Sequence, residues 1–374
     1  MKRNCFYPLL ALLWLTTGCQ SVQPLYIDYM LPAEVSFPSS LKRVGVVNNM
    51  PISPEVTRMP EDAEPPKDKL EIRRKTEYYL GDARLATESL AESLAAENYF
   101  DEVIICDSAL RAYDQMPRES TLSRAEVNRL SRDLGVDFLV ALENVQLRSL
   151  RRVNRLPDIN AYYETTDVKV LPTFSVYLPN RNGALATIQS IDSIFWEEMG
   201  TSEGELQARS IPKDELIEAA SQFAGTLPVR HLLPHWKTTQ RYLFTGGSVD
   251  MRDAAVYVRE GNWPDAITLW KRHYAQKKGK QKMYAACNIA LGYEMQDSIA
   301  AATEWAEKAQ HVAYQIDRLD EKNVGNLNAA DVPNYVFTTV YLQELQERLQ
   351  GMARLDAQMQ RFKDEFISYP NGNR

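Results

Sequence analysis

The strongest constraint on the fold is an alternation of strand-like and helix-like runs between residues 41 and 145. Leucines recur at helical spacing through 81–98, and a second helical pattern covers 125–134. Apolar runs between and around these helices predict strands at 41–48, 101–106 and 137–145. Because the runs are apolar on both faces, they favour a sheet covered by helices on both sides. The order strand–helix–strand–helix–strand therefore predicts an α/β layer.

Two further signals extend this layer. Ser123, with Glu126 three residues later, fits a capping box at the start of the second helix, and Gly135 is typical of its end. Alternating runs at 168–178 and 184–196 flank an Asn-Gly pair, which predicts a hairpin. A helical pattern follows at 213–227. We therefore predict an α+β or α/β amino-terminal domain, a mixed sheet with helices, over residues 41–245.

The hydrophobic period changes in the carboxy-terminal part. Ala266 and Ala302 lie 36 residues apart, close to the 34-residue unit of tetratricopeptide repeats. Trp263 and Trp270 share a helix face, which is typical of a repeat core rather than a ligand cage. We predict an all-α, tetratricopeptide-like module with boundaries at 246–312 for the repeats, 313–333 for a polar loop and 334–368 for a capping helix. The apolar stripe of that last helix comprises Leu342, Leu345, Leu349, Met352, Leu355, Met359 and Phe362.

The amino terminus indicates where the protein resides. Two cations, an apolar run and small residues precede Cys19, which is the order of a secretory signal over residues 1–18. The cysteine favours a bacterial lipoprotein in which Cys19 carries acyl chains such as palmitate and a tether covers 19–40. Gln20, in place of an aspartate, favours the outer membrane, at its periplasmic face. An ordinary cleaved signal peptide is the alternative.

The charge and the cysteines of the chain argue against nucleic-acid binding and against a disulfide bond. The formal net charge is -7 and no dense basic run is present, so nucleic-acid binding is not expected, since it needs phosphate neutralisation. Cys106 lies in a strand-like run and Cys287 on an apolar helix face. We interpret both as small buried hydrophobes, not as a disulfide. Outside the leader, no apolar stretch reaches the length of a membrane helix.

Residues 200–204 match the G-x-S-x-G nucleophile elbow, with Ser202 as the candidate nucleophile. The preceding strand alternates polar and apolar residues, and the next helix is expected only near Lys213. We therefore favour a loop between strand and helix. His231 and His235 have the spacing of a zinc pair, but Pro234 would break the helix between them. Neither a metal nor a cofactor is expected, and no residue is assigned a catalytic role.

Two charged clusters have ordinary interpretations. The cluster of Asp317, Asp320, Glu321 and Asn323 lacks the glycine of a calcium loop. A basic run after the strand at 137–145 is interpreted as a solvated loop, with contact to an acidic partner as the alternative. That run comprises Arg148, Arg151, Arg152 and Arg155.

The residues quoted next resemble known envelope proteins. RVGVV, ATESLAESLAAENYFDEVIICDS, LSRAEVNRLSRDLGVDFLVALENV, VYLPNRNGALATIQSIDSI and DELIEAASQFAGTL follow one another as in the α/β domain of the curli-secretion lipoprotein family. Similar domains occur in penicillin-binding-protein activator lipoproteins and in the Tol-system translocation protein. This resemblance covers residues 40–228. The whole chain also resembles a Bacteroides-type lipoprotein family with a helical-repeat tail, and neither resemblance implies an activity.

Together these features lead to a hypothesis of function. We expect a non-catalytic, lipid-anchored adaptor that binds an envelope protein through its helical repeats, with the α/β domain nearest the anchor. The alternatives are a serine hydrolase that uses Ser202 and a secretion-channel subunit. The channel would need two membrane hairpins in each subunit, and the sequence offers one with mixed faces.

Overall fold

The computed structural model describes residues 21–54, 67–106, 108–114, 121–321 and 328–368. The predicted signal at 1–18, the predicted lipidation site Cys19, Gln20 and Asn323 lie outside these residues. The chain forms two compact units. The helical unit takes the described residues up to Pro32 together with His235–Ala357, and the α/β unit takes Ala33–Pro234 together with the residues after Ala357.

The strands are named in chain order. They are β1 (Val22–Leu31), β2 (Arg43–Asn48), β3 (Glu71–Leu80), β4 (Glu102–Cys106), β5 (Phe138–Leu156), β6 (Ala161–Tyr177), β7 (Ala186–Gln189), β8 (Asp192–Gly200) and β9 (His235–Phe244). Strands β1 and β9 pair in the helical unit, and the others form one mixed sheet in the α/β unit.

The helices are named in the same way. The α/β unit contains α1 (Ala83–Ala96), α2 (Arg124–Leu134), α3 (Glu203–Arg209), α4 (Lys213–Thr226) and α5 (Val229–Leu232). The helical unit contains α6 (Val249–Arg259), α7 (Trp263–Gln276), α8 (Gly279–Glu294), α9 (Ile299–Ile316) and most of α10 (Pro333–Ser368). The α/β unit and the following helical region confirm the predicted fold class.

The parallel part of the sheet has β2 at its centre. Strand β2 pairs in parallel with β4 on one side and with β5 on the other. Helix α1 buries Leu90 and Leu94 against one face, and α2 buries Val127 and Leu130 against the other. The capping box of Ser123 with Glu126 is present, and Gly135 ends α2 with a φ of +66°. The five elements predicted in residues 41–145 are therefore confirmed as β2, α1, β4, α2 and β5, with β3 as an additional strand between β2 and α1 in the chain.

The antiparallel part of the sheet differs from the sequence prediction. Strand β5 continues to Leu156, and β3, which the sequence did not predict, pairs along its outer half. The predicted second hairpin strand is split at Ser190 into β7 and β8, which both pair with β6. Polar and charged residues alternate through these segments, so their sequences lack the apolar runs that identify buried strands.

The helical unit begins with a strand where a tether was predicted. Strand β1 pairs antiparallel with β9 in a continuous register from Val22 with Phe244 to Leu31 with His235. Pro24 was one reason to expect a tether. Pro24 is the register partner of Tyr242 at a non-hydrogen-bonded position of the ladder. Proline is tolerated there because the pairing does not need an N–H from this residue. The helical unit also resumes at His235, eleven residues before the predicted start of the helical repeats at 246.

Helices α6 to α9 follow one another in the helical unit, each packed against the next. Ala266, Trp270 and Ala302 are fully buried, as expected of repeat-core positions. On α10, Leu342 and Leu345 are buried, whereas Leu349 of the predicted stripe is 38% exposed. The tetratricopeptide assignment itself stays a prediction.

The end of α10 belongs to the α/β unit and uses polar contacts. The Gln358 amide donates to and accepts from the backbone of Ala33, at 3.1 and 2.9 Å. The Arg361 guanidinium donates to the carbonyl oxygen of Tyr99 at 2.6 Å.

Among the helices that the structure describes, none has the length and apolar character needed to span a bilayer.

Candidate functional site

Ser202 lies where a strand meets a helix, and it caps that helix. Gly200 ends β8, and α3 starts at Glu203, so the expectation that the next helix begins near Lys213 was wrong. The Ser202 hydroxyl oxygen accepts the backbone N–H of Glu205 at 3.2 Å. The side chain is exposed, and its hydrogen-bonding role is that of an N-cap.

His231 and His235 do not share a helix. His231 lies in the short α5 and its Nδ1 is 2.8 Å from the Glu34 carboxylate, whereas His235 begins β9. Pro234 separates the two segments, as the sequence indicated. Within the described ranges, no group of three or more His, Cys, Asp or Glu side chains could hold a metal ion.

The acidic cluster near residue 317 is engaged in local contacts. The Asp317 carboxylate accepts the side-chain amide of Asn334 at 2.6 Å and the backbone N–H of Tyr335 at 2.8 Å. The Asp320 carboxylate accepts the Tyr314 hydroxyl at 2.7 Å. Asp317 therefore joins the end of α9 to the start of α10.

The predicted basic loop is a strand. Arg148, Arg151, Arg152 and Arg155 all lie in the outer half of β5, which pairs with β3 and β6. The Arg151 guanidinium donates to the backbone oxygen of Ile211 at 3.0 Å and lies 3.6 Å from the Glu164 carboxylate. The interpretation of this run as a solvated loop was therefore wrong. A basic run is compatible with a strand because the aliphatic stems of arginine can cover a sheet face while the charged ends remain paired.

Both cysteines that the structure describes are free thiols. Cys106 is half-buried at the end of β4, and Cys287 is buried on α8. Burial raises the pKa of the Cys287 thiol to about 12. This group therefore remains protonated and inert at neutral pH, as expected of a small apolar side chain.

A polar cluster that the sequence did not predict lies at the carboxyl ends of the parallel strands. Glu143 occupies a register shift in β5, directly after the last residue paired with β2. Its two carboxylate oxygens accept the Tyr177 hydroxyl at 2.7 Å and the Asn49 side-chain amide at 2.8 Å. Burial raises the pKa of Glu143 to about 7, although these hydrogen bonds oppose the shift.

Arg111 connects this cluster to the loop that follows β4. Its Nε donates to the Asn49 side-chain oxygen at 3.0 Å, and a second nitrogen lies 2.9 Å from Glu126. Glu143 and Asn49 stand between the first and third parallel strands, the topological switch point where α/β sheets bind ligands. Since both Glu143 oxygens already have partners, the cluster fixes the loops at this edge.

A groove in the helical unit is the better candidate for a binding site. It has a volume of about 260 Å³ and lies between β9, α8 and α10. Its walls are formed by Thr239, Gln240, Arg241 and Tyr242 of β9, by Cys287 and Leu291 of α8, and by Phe337, Val340, Tyr341 and Glu344 of α10. Most of these side chains are apolar or aromatic, as in sites that bind small molecules or peptide side chains.

A buried ion-pair network forms the floor of the groove. The Arg241 guanidinium donates to both carboxylate oxygens of Glu294, at 2.9 and 3.0 Å, and to the Glu344 carboxylate. The Tyr341 hydroxyl donates to Glu294 at 2.9 Å. The side chains of Arg241 and Glu294 are 7% and 0% exposed. Because a bidentate pair of this kind is planar and directional, it fixes α8 against β9.

This network has only a weak signal in the sequence. Glu294 follows a long apolar stretch of α8, where a charged residue needs a buried partner. Arg241 has polar neighbours and resembles any surface arginine of an edge strand. Their pairing joins positions 53 residues apart and depends on the tertiary fold.

Comparison with known proteins identifies two domain families. A family described as "Domain of unknown function (DUF8603)" matches residues 41–244, and one described as "Domain of unknown function (DUF6340)" matches residues 252–347. Neither curated proteins nor solved structures match the chain. Residues 41–244 take in most of the α/β unit and end with β9, and they amount to more than half of the chain. The chain therefore belongs to the DUF8603 family.

Proposed function

We propose that this protein is a lipid-anchored adaptor of the bacterial envelope, held at the periplasmic face of the outer membrane through Cys19. It binds a protein partner through the groove of the helical unit and carries out no reaction of its own. The sorting signal and the resemblance to envelope lipoproteins support the location. The groove supports the binding role.

The observation that carries the proposal is the combination of an open groove with a rigid floor. Val340, on the wall formed by α10, is 54% exposed, and Tyr242, on the β9 wall, is 40% exposed. Beneath them, the Arg241–Glu294 pair holds the walls in place. A pre-formed apolar site on packed secondary structure binds without a large ordering cost.

Photo-cross-linking in intact cells tests the adaptor function. A photoreactive amino acid replaces Val340 in the groove, and a matched variant carries it at Val256 of α6, which is 41% exposed. We expect a discrete cross-linked envelope protein with the first variant and none with the second. Equal cross-linking at the two positions, or none at Val340, would contradict the proposal.

The anchor is tested separately. The Cys19→Ala variant should lose incorporation of labelled palmitate and should leave the membrane fraction, because several acyl chains provide nearly all of the membrane affinity. Retention of Cys19→Ala in the membrane fraction would exclude lipid anchoring at this residue. Cross-linking at Val340 is independent of that result.

A further inference from the structure

The hydrogen-bond pattern of the β1–β9 ribbon defines which backbone groups face the groove. The backbone N–H of Thr245 donates to the carbonyl oxygen of Ser21 at 2.9 Å, one position beyond the end of the ladder. In an antiparallel pair, alternate residues point their backbone groups toward the partner strand. Leu243 and Arg241 therefore face β1, whereas Phe244, Tyr242 and Gln240 point away from it.

The first of these outward positions is already occupied. The Asn288 side chain on α8 accepts the Phe244 N–H at 2.9 Å and donates to the Phe244 carbonyl oxygen at 2.7 Å. An amide side chain thus takes the place of a peptide group of a third strand. Tyr242 and Gln240, the next two outward positions, have no such partner among the residues that the structure describes.

These two backbone positions lie along the groove. The outward donors and acceptors of Gln240 and Tyr242 face a space whose opposite wall includes Phe337 and Val340. The buried side-chain donor of the wall is already used, since the nitrogens of Arg241 are bonded to Glu294, Glu344 and Thr239. Besides the exposed side chains of Gln240 and Tyr242, the β9 wall therefore offers the backbone donors and acceptors of a strand edge.

We infer that the groove binds an extended segment of the partner protein, which adds to β9 as a third strand and places one apolar side chain in the cavity. This inference rests on the proposed adaptor function and specifies the form of the partner. Strand addition gives affinity through backbone hydrogen bonds, and the pocket beside the edge gives specificity. A cavity of about 260 Å³ holds one aromatic or large aliphatic side chain, because an apolar cavity of about 150 Å³ already accepts benzene.

The test uses peptides selected from a random eight-residue display library on the full chain, with the photoreactive variant at Val340 confirming that they bind in the groove. A selected peptide is then synthesised with a single N-methyl group at each backbone nitrogen in turn. Strand addition predicts a loss of affinity at every second position, because alternate N–H groups bond to β9. Tolerance at all positions, or loss with a helical period, would overturn the inference.

A pair of proline variants tests the same edge from the protein side. Gln240→Pro removes the backbone N–H that faces the groove. Tyr26 of β1 is the register partner of Gln240, and Tyr26→Pro removes a backbone N–H on the opposite edge of the ribbon. Both positions are outward in the ladder, so proline leaves the β1–β9 hydrogen bonds intact. We expect peptide affinity to fall about three- to tenfold in Gln240→Pro, the effect of one hydrogen bond, and to be unchanged in Tyr26→Pro.

The outcomes separate the two proposals. Cross-linking at Val340 in cells, combined with a peptide scan that lacks the alternation, would retain the adaptor and reject strand addition. Failure of cross-linking in cells would reject the adaptor. If Gln240→Pro does not fold, the N-methyl scan decides alone because it uses the unchanged groove. A library that yields no peptide cross-linked at Val340 also counts against strand addition.

Discussion

Glu143 makes the stability of the α/β unit depend on pH in a predictable direction. Its side chain is buried at the edge of the parallel strands, where loss of solvation raises its pKa from the ordinary 4.5 to about 7. The folded chain therefore holds this proton more tightly than the unfolded chain. Below pH about 4.5 the Glu143 carboxyl is protonated in both the folded and the unfolded chain. Between pH 4.5 and about 7 it ionises in the unfolded chain only, which lowers the free energy of the unfolded state. Stability should fall as the pH rises through this interval.

The expected magnitude follows from the two pKa values. A difference of one pKa unit corresponds to about 1.36 kcal/mol, so the interval from 4.5 to about 7 corresponds to about 3 kcal/mol of lost stability by pH 8. The Glu143→Gln variant cannot ionise and should lack this component. Glu88→Gln, which removes a surface carboxylate that pairs with Arg84, should keep it.

The measurement is urea unfolding at a series of pH values, followed by hydrogen exchange in the segment that contains Glu143. Samples equilibrated in urea receive a short deuterium pulse at one fixed pH, and mass spectrometry follows the peptide that covers 138–147. The free energy of unfolding of the wild-type chain should decline by about 3 kcal/mol more than that of Glu143→Gln between pH 4.5 and 8. Parallel curves for these two proteins would refute the assignment of a raised pKa to Glu143.

Three further substitutions have defined outcomes. Glu294→Gln leaves the Arg241 charge buried without its bidentate partner and should cost about 3 kcal/mol in urea unfolding of the helical unit. Ser123→Ala removes the capping box of α2 and should cost about 1 kcal/mol. Ser202→Ala removes the cap of α3 and should lower stability by a similar amount. The wild-type chain should show no fluorophosphonate labelling that Ser202→Ala abolishes, and such labelling would instead support the hydrolase alternative.

The elements that the sequence predicted correctly are those whose residue pattern depends on local structure alone. Strand β2 is buried on both faces and reads as a continuous apolar run, and α2 carries a capping box and a terminal glycine at the expected positions. The hydrophobic period and the cap chemistry are local properties, so one chain is sufficient to identify them.

The elements that it missed depend on distant partners. Strand β3 consists largely of charged and polar residues, and it becomes a strand because the outer half of β5 lies beside it. The groove depends on Arg241 meeting Glu294, and the carboxyl-edge cluster depends on Glu143 meeting Tyr177 and Asn49. Isolated polar residues of this kind resemble surface residues until the fold brings them together.

The pairing of β1 with β9 determines what can be made as an independent fragment. Asp28 and Thr238, which share a hydrogen bond of 2.6 Å, are 210 positions apart, and the α/β unit occupies most of the chain between them. A fragment that starts at residue 246 would lack both strands and would expose the apolar surface that Ile27 and Leu243 cover. A self-contained helical module instead requires Val22–Leu31 to be rejoined through a short linker to His235 and the residues that follow.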